Sequence, residues 1–215
     1  QGIAVAPSSP NIVYALIEAK KNALYKSIDG GFNWKKINDR NEIGNRPFYY
    51  SDLRVDPKNE NRIYSIFTYV HVSEDGGNSF FELMPAYNVS NGVHPDHHAW
   101  WIHPDDPNYM IDGNDGGLNI TRDRGKTWYF AQNIPVGQFY HIAVDNDIPY
   151  NIYGGMQDNG SWAGPAYTWR VQGIRNSYWQ EISFGDGFDV LPDPNNHRFG
   201  ISASQEGLSL IHISE

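Results

Sequence analysis

No cysteine occurs among the 215 residues, which excludes a disulfide framework and any thiolate chemistry and leaves the redox compartment undecided. No apolar run approaches the ~18 residues that a membrane-crossing helix needs. Positive charge is also scarce. Lys and Arg number 16 against 25 Asp and Glu, for a net charge of −9. A protein that grips a nucleic-acid backbone wants a basic stripe, so the balance argues against that partner. There is no Gly-x-Ser-x-Gly elbow to carry an acyl-transfer nucleophile. No glycine-rich loop leads into a helix where phosphate could sit. Hardly any helix is expected, and no cofactor.

What the chain does have is repetition. Ser27-Ile28-Asp29-Gly30-Gly31-Phe32-Asn33-Trp34 returns as Ser73-Glu74-Asp75-Gly76-Gly77-Asn78-Ser79-Phe80, then as Thr121-Arg122-Asp123-Arg124-Gly125-Lys126-Thr127-Trp128. The period is roughly 47 residues, the length of one four-stranded β-propeller blade. A second, out-of-phase repeat has the same period. In it a β-branched residue stands two positions before Pro or Asn, and an apolar residue follows the turn. It occurs at Val5-Ala6-Pro7, Val55-Asp56-Pro57, Ile102-His103-Pro104, Val144-Asp145-Asn146 and Val190-Leu191-Pro192. Pro and Asn set the turn, while the flanking Val, Ile and Tyr suit a pleated sheet.

The reading is therefore all-β: a partial β-propeller of four-stranded antiparallel blades, about four and a half of them. The blades are placed at 1–47, 48–96, 97–136, 137–183 and, incomplete, 184–207. First strands are predicted near 2–6, 50–55, 98–102, 139–144 and 186–190. The aromatic content of 14% suits the wedge-shaped spaces between sheets. Upstream sequence is expected before Gln1. Leu208–Glu215 resembles the translated end of a transposon adapter used in sequencing libraries, so a native chain ending near Gly207 is expected, with 208–215 as a tail.

In this scheme the eight-residue phrase closes the hairpin between third and fourth strands. The Asp carboxylate takes hydrogen bonds from turn amides, Gly supplies a positive φ and the terminal ring buries against a neighbouring hairpin. Ser27, Asp29, Gly31, Trp34, Ser73, Asp75, Gly77, Phe80, Thr121, Asp123, Gly125 and Trp128 are thus fold-builders. Blade topology puts the second-to-third turns and the blade-to-blade connections on the opposite rim. There the repeat breaks into polar and aromatic phrases. Tyr49, Tyr50, His98, Trp100, Tyr140, His141, Gln157, Asp158 and Asp186 are the candidate ligand-binding residues. Strict alternation puts His98 and Trp100 on one face.

These residues bear on several chemistries. His94, Asp96 and one of His97 or His98 offer metal-ligand atoms, but His97 and His98 are adjacent on a strand and point apart. The Asp112–Asp115 loop lacks the ligand run of a twelve-residue calcium loop. No metal is expected at either place. Glycoside hydrolysis needs two carboxyl groups roughly 5–9.5 Å apart. Asp52, Asp96, Asp115, Asp158, Asp186 and Asp189 are available, and sequence selects no pair, although Asp186 is a weak catalytic candidate.

With its three Asp-box phrases, the Val-Asp-Pro turn and the phrases His94-Pro95-Asp96-His97-His98 and Gly155-Met156-Gln157-Asp158-Asn159-Gly160, the chain resembles a group of bacterial secreted proteins. That group has a sortilin-type N-terminal propeller and is related to xyloglucanase-like Asp-box glycoside hydrolases. The likeness runs over residues 1–207. It implies a secreted or periplasmic protein that binds, and could hydrolyse, a polysaccharide at the channel mouth. A sortilin-like receptor module holding a peptide there is the other implied reading. Missing blades of the same parent chain are an implied partner. The resemblance delivers no catalytic pair, because xyloglucanases of this type place their two acids on two facing propellers. A sialidase would need an arginine triad, for which Arg46 and Arg175 alone are well placed.

Overall fold

The computed structural model describes residues 2–44, 50–84, 86 and 92–207, together with the backbone of 209–213. The fold is all-β, a partial β-propeller built from antiparallel up-and-down blades. It divides into two units, residues 1–132 and 133–215.

In unit 1 the first blade holds β1 (Gly2–Val5), β2 (Val13–Ile17), β3 (Ala23–Ser27) and β4 (Lys35–Asn38). The second holds β5 (Asp52–Asp56), β6 (Asn59–Ile66), β7 (Val70–Ser73) and β8 (Phe81–Glu82). The third holds β9 (His97–Ile102), β10 (Met110–Asn114), β11 (Gly117–Thr121) and β12 (Tyr129–Phe130). Unit 2 carries β13 (His141–Val144), β14 (Asn151–Gly155), β15 (Ser161–Pro165) and β16 (Gln180–Ser183) in its first blade. Its second sheet has three strands: β17 (Gly187–Asp193), β18 (Asn196–Ser204) and β19 (Ser209–Ile213). Strands pair in chain order in every sheet. The segment set apart as a tail in the sequence reading pairs along β18, Phe199 with Ile213 through Ala203 with Ser209.

Faces of neighbouring blades supply the core. Tyr14, Leu16 and Leu24 of the first blade meet Ile43, Leu53, Val55 and Ile63. On the far side, Tyr64, Ile66, Val70 and Val72 meet Trp100 and Met110 of the third blade. β6 is thus covered on both faces, which is why Ile63-Tyr64-Ser65-Ile66 reads as a run rather than an alternation.

The repeated hairpins use the same bonds three times. Ser27 Oγ donates to Asp29 (2.7 Å) and accepts from the Gly31 amide (2.9 Å), while Asp29 accepts from the Asn33 amide (2.9 Å). Ser73 and Asp75 repeat this with Gly77 and Ser79, and Thr121 and Asp123 with Gly125 and Thr127. Gly31, Gly77 and Gly125 sit at φ of 98°, 94° and 88°, where a β-carbon is strained. The Asn33 amide and side chain hold the Asp29 carboxyl down at about 2. The Thr127 hydroxyl and amide do the same for Asp123, also at about 2. Burial pushes Asp75 up, but hydrogen bonds from Ser79 and Ser73 outweigh it and its carboxyl lies below the usual range.

The rings close the hairpins unequally. Trp34 stays 42% exposed, so its expected burial does not occur, although its indole N–H donates to Gly31 O at 2.8 Å. Phe80 packs against the first core and Trp128 against the second. One hairpin also ties two blades together. Arg124, held at φ 64°, reaches the fully buried Asp56 carboxylate in the β5–β6 turn at 2.6 Å.

Candidate functional site

Unit 1 gathers the approach to β9 and the β6–β7 and β10–β11 turns at one rim. The Asp96 amide donates to Thr68 O (2.9 Å), the His97 amide to Phe67 O (3.0 Å) and the Asp115 amide to Asp96 O (3.2 Å). His97 and His98 then part company. His97 turns inward, its Nδ1 2.9 Å from both oxygens of the buried Asp112 carboxylate. Asn114 donates to Asp112 at 2.8 Å and to Asn119 Oδ1 at 3.0 Å, which binds the loop into the sheet. His98 faces the rim, with Nε2 2.7 Å from Asp115. Tyr50 covers it, donating to His98 O at 2.6 Å with its ring 5.2 Å from the imidazole. Burial pushes the Tyr50 phenol above its ordinary value.

The expectation for Trp100 is corrected here. Its ring is 5% exposed, packed 5.5 Å from Tyr64 and 5.5 Å from Trp128, so neither face can receive a ligand. It does not share a face with His98 either. The β9–β10 register shifts between Gly113 and Asn114, a bulge beside His98 that breaks the alternation. Trp101, its exposed neighbour, packs edge-on against Tyr109 instead. Tyr49 lies outside the described residues.

Unit 2 gathers five candidates. The Tyr140 amide donates to Gly155 O at 2.9 Å, and its half-exposed ring stacks on Phe188 at 5.1 Å and 13°. His141 Nδ1 lies 3.0 Å from Asp189 on β17. In the β14–β15 turn Gln157 is exposed, and the Asp158 amide donates to the Asp186 carboxylate at 2.7 Å. Two backbone bonds sew this turn to the approach of β17, Gly160 N to Gly185 O (2.8 Å) and Gly187 N to Met156 O (3.0 Å). The two strands lie so close that a β-carbon on Gly155 would strike the backbone of Gly187 and Phe188. Asp186 therefore fastens a turn. Sequence offers Asp189 only as one of six candidate carboxyl groups and does not single out Phe188. Their places beside Tyr140 and His141 follow from the first strands of two neighbouring sheets lying side by side, which no single repeat displays.

Elsewhere in unit 2, Asp145, Asp147 and His197 bring ligand-type atoms within 4.8 Å of one another. The Asp145 oxygens already accept from the Asp147 and Asn151 amides, the Asn151 side chain and the Tyr153 hydroxyl, and His197 holds Asp147 at 2.9 Å. The cluster reads as a turn brace. A cavity of about 280 Å³ opens between the two sheets of this unit, lined by Tyr153, Tyr178, Gln180, Val190 and Arg198 among others.

No protein-family profile matches the chain, and no curated protein matches it in sequence. Solved structures do. The GH74 enzyme of Niastella koreensis shares 19% identity over 94% of this chain and 33% of its own, at a TM-score of 0.46. The GH74 xyloglucanase from Xanthomonas campestris shares 15% over 99% and 36%, at 0.43. YCF48 from Cyanidioschyzon merolae shares 11% over 100% and 67%, at 0.43. The chain spans about a third of the length of the two GH74 proteins. These are likenesses of fold, and no residue role is taken from them. Among the described residues no helix is long and apolar enough to cross a membrane.

Proposed function

We propose that this chain is the ligand-binding propeller portion of an exported, glycosyl-hydrolase-like protein, and that unit 2 holds an extended polysaccharide on its rim. The observation that carries the reading is the Tyr140–Phe188 stack. It offers a half-exposed ring braced from behind, flanked by the His141–Asp189 pair and the exposed Gln157. A sugar ring presents C–H groups to an aromatic face and hydroxyls to polar neighbours, and this is that combination. Tyr50 and His98–Asp115 in unit 1 form a surface of like composition.

Binding without turnover is the form we favour. Asp115, Asp186 and Asp189 each already hold a protein donor, which leaves them poorly suited to general acid work. The same observation keeps a sortilin-like, peptide-holding module as the second reading. Affinity electrophoresis through gels containing neutral polysaccharides, run beside a peptide array, separates them. Retardation by a polysaccharide, abolished in Tyr140→Ala, is the expected result. Product release that disappears in Asp186→Asn would restore a catalytic role. Capture of peptides with no retardation in any polysaccharide gel would give the site to the second reading.

A further inference from the structure

On the other rim of unit 2, the third-to-fourth connection of the first blade abandons the repeated hairpin for a long loop, residues 166–179. Its apolar side chains face water. Trp169 is 84% exposed and Val171 fully so, with Tyr167 and Ile174 roughly half exposed. Tyr167 and Trp169 brace each other edge to face at 5.0 Å. The β13–β14 connection reaches the same rim, where the Ala166 amide donates to Tyr150 O at 3.1 Å. It adds the exposed Ile148 and half-exposed Tyr150. Six large apolar side chains thus share one edge, more than scattered surface residues account for.

The charge of this edge opposes that of the chain. Residues 159–180 contain no carboxylate and two exposed arginines, Arg170 and Arg175, in a protein of net charge −9. Of the two carboxylates in the neighbouring turn, Asp145 is buried and accepts hydrogen bonds from Asn151 and Tyr153, and Asp147 is paired with His197 at 2.9 Å. We propose that this edge docks on an anionic phospholipid bilayer. Tryptophan and tyrosine favour the headgroup level, and guanidinium groups pair with phosphate. Val171, Ile148 and Ile174 need an apolar volume to enter, which acyl chains provide and a hydroxylated glycan does not. The negative charge elsewhere turns the remaining surface away from the bilayer, so docking is oriented.

Co-flotation of the whole chain with vesicles of phosphatidylcholine, alone or mixed equally with phosphatidylglycerol, tests this. Flotation is expected with the anionic vesicles, falling as salt is added. It should weaken about tenfold in the Trp169→Ala/Val171→Ser double variant, and also in Arg170→Gln/Arg175→Gln. Both pairs are exposed, and unchanged circular dichroism and thermal unfolding would show that the fold survives. Absence of flotation, or flotation that both variants retain, overturns the proposal. So does binding to polygalacturonate without binding to vesicles, if the same variants lose it, because the edge would then belong to an acidic glycan.

Discussion

The His97 imidazole sits with one nitrogen 2.9 Å from each oxygen of Asp112, and the two residues are 2% and 0% exposed. Asn114 holds the carboxylate from a second side, and the backbone of His97 hangs on Phe67 in the neighbouring blade. The pair is thus a clasp between the second and third blades. Removing the carboxylate strands a buried ring nitrogen, so Asp112→Ala should cost about 2–4 kcal/mol. Asp112→Asn keeps one acceptor and should cost less. Urea unfolding of both variants orders them, and equal midpoints would show that the clasp carries no weight.

Acid should loosen the hairpins in a defined window. Native Asp29 and Asp123 titrate at about 2, held down by amide and hydroxyl donors. In the unfolded chain they return to about 3.9. The unfolded state then binds protons first as pH falls, so the contribution is complete above about pH 4 and is lost toward pH 2. The urea midpoint should be level near neutrality and fall across that interval. Asp29→Asn/Asp123→Asn keeps the oxygen acceptors but has nothing to titrate. Its midpoint should fall less steeply, with Asp75 and Asp145, whose carboxyls are also held low, supplying the remainder.

Gly155 should tolerate no side chain. Its missing β-carbon is the space into which the backbone of Gly187 and Phe188 fits, and backbone cannot rotate aside. Gly155→Ala should cost roughly 1–3 kcal/mol or more and shift the Tyr140–Phe188 stack. Gly173 has nothing near its missing β-carbon, although its φ of 72° strains any substituent. Gly173→Ala in unit 2 is therefore the measure of backbone strain alone, and thermal unfolding of the two variants separates contact from strain.

Legibility in the sequence followed locality. The hairpins could be read because each of their bonds spans at most four residues, so Ser27, Asp29, Gly31 and Asn33 form the whole device within one phrase. The Val55-Asp56-Pro57 turn marks strands β5 and β6 for the same reason. What required two distant segments stayed hidden. Arg124 sits 68 residues from Asp56, and nothing in either phrase announces the other. His98 and Trp100 were placed on one face by a rule that holds only for an unbroken ladder, and the shift at Gly113/Asn114 breaks it. The 166–179 loop left no repeat to read, because it stands where the repeat stops.

Trp100 and Tyr140 make opposite predictions from similar chemistry. Both aromatics are candidates for the ligand site by sequence, yet Trp100 lies between Tyr64 and Trp128 in a closed core while Tyr140 keeps 45% of its surface and stacks on Phe188. Trp100→Ala opens a cavity that its neighbours can only partly fill, so it should destabilise unit 1 by about 3–5 kcal/mol. Tyr140→Ala removes one face of an open stack and should cost about 1 kcal/mol. The order reverses for ligand. Polysaccharide retardation should vanish in Tyr140→Ala, while any Trp100→Ala protein that remains folded at low temperature should retain it. A Trp100→Ala protein of unchanged stability that no longer binds would return that ring to the site.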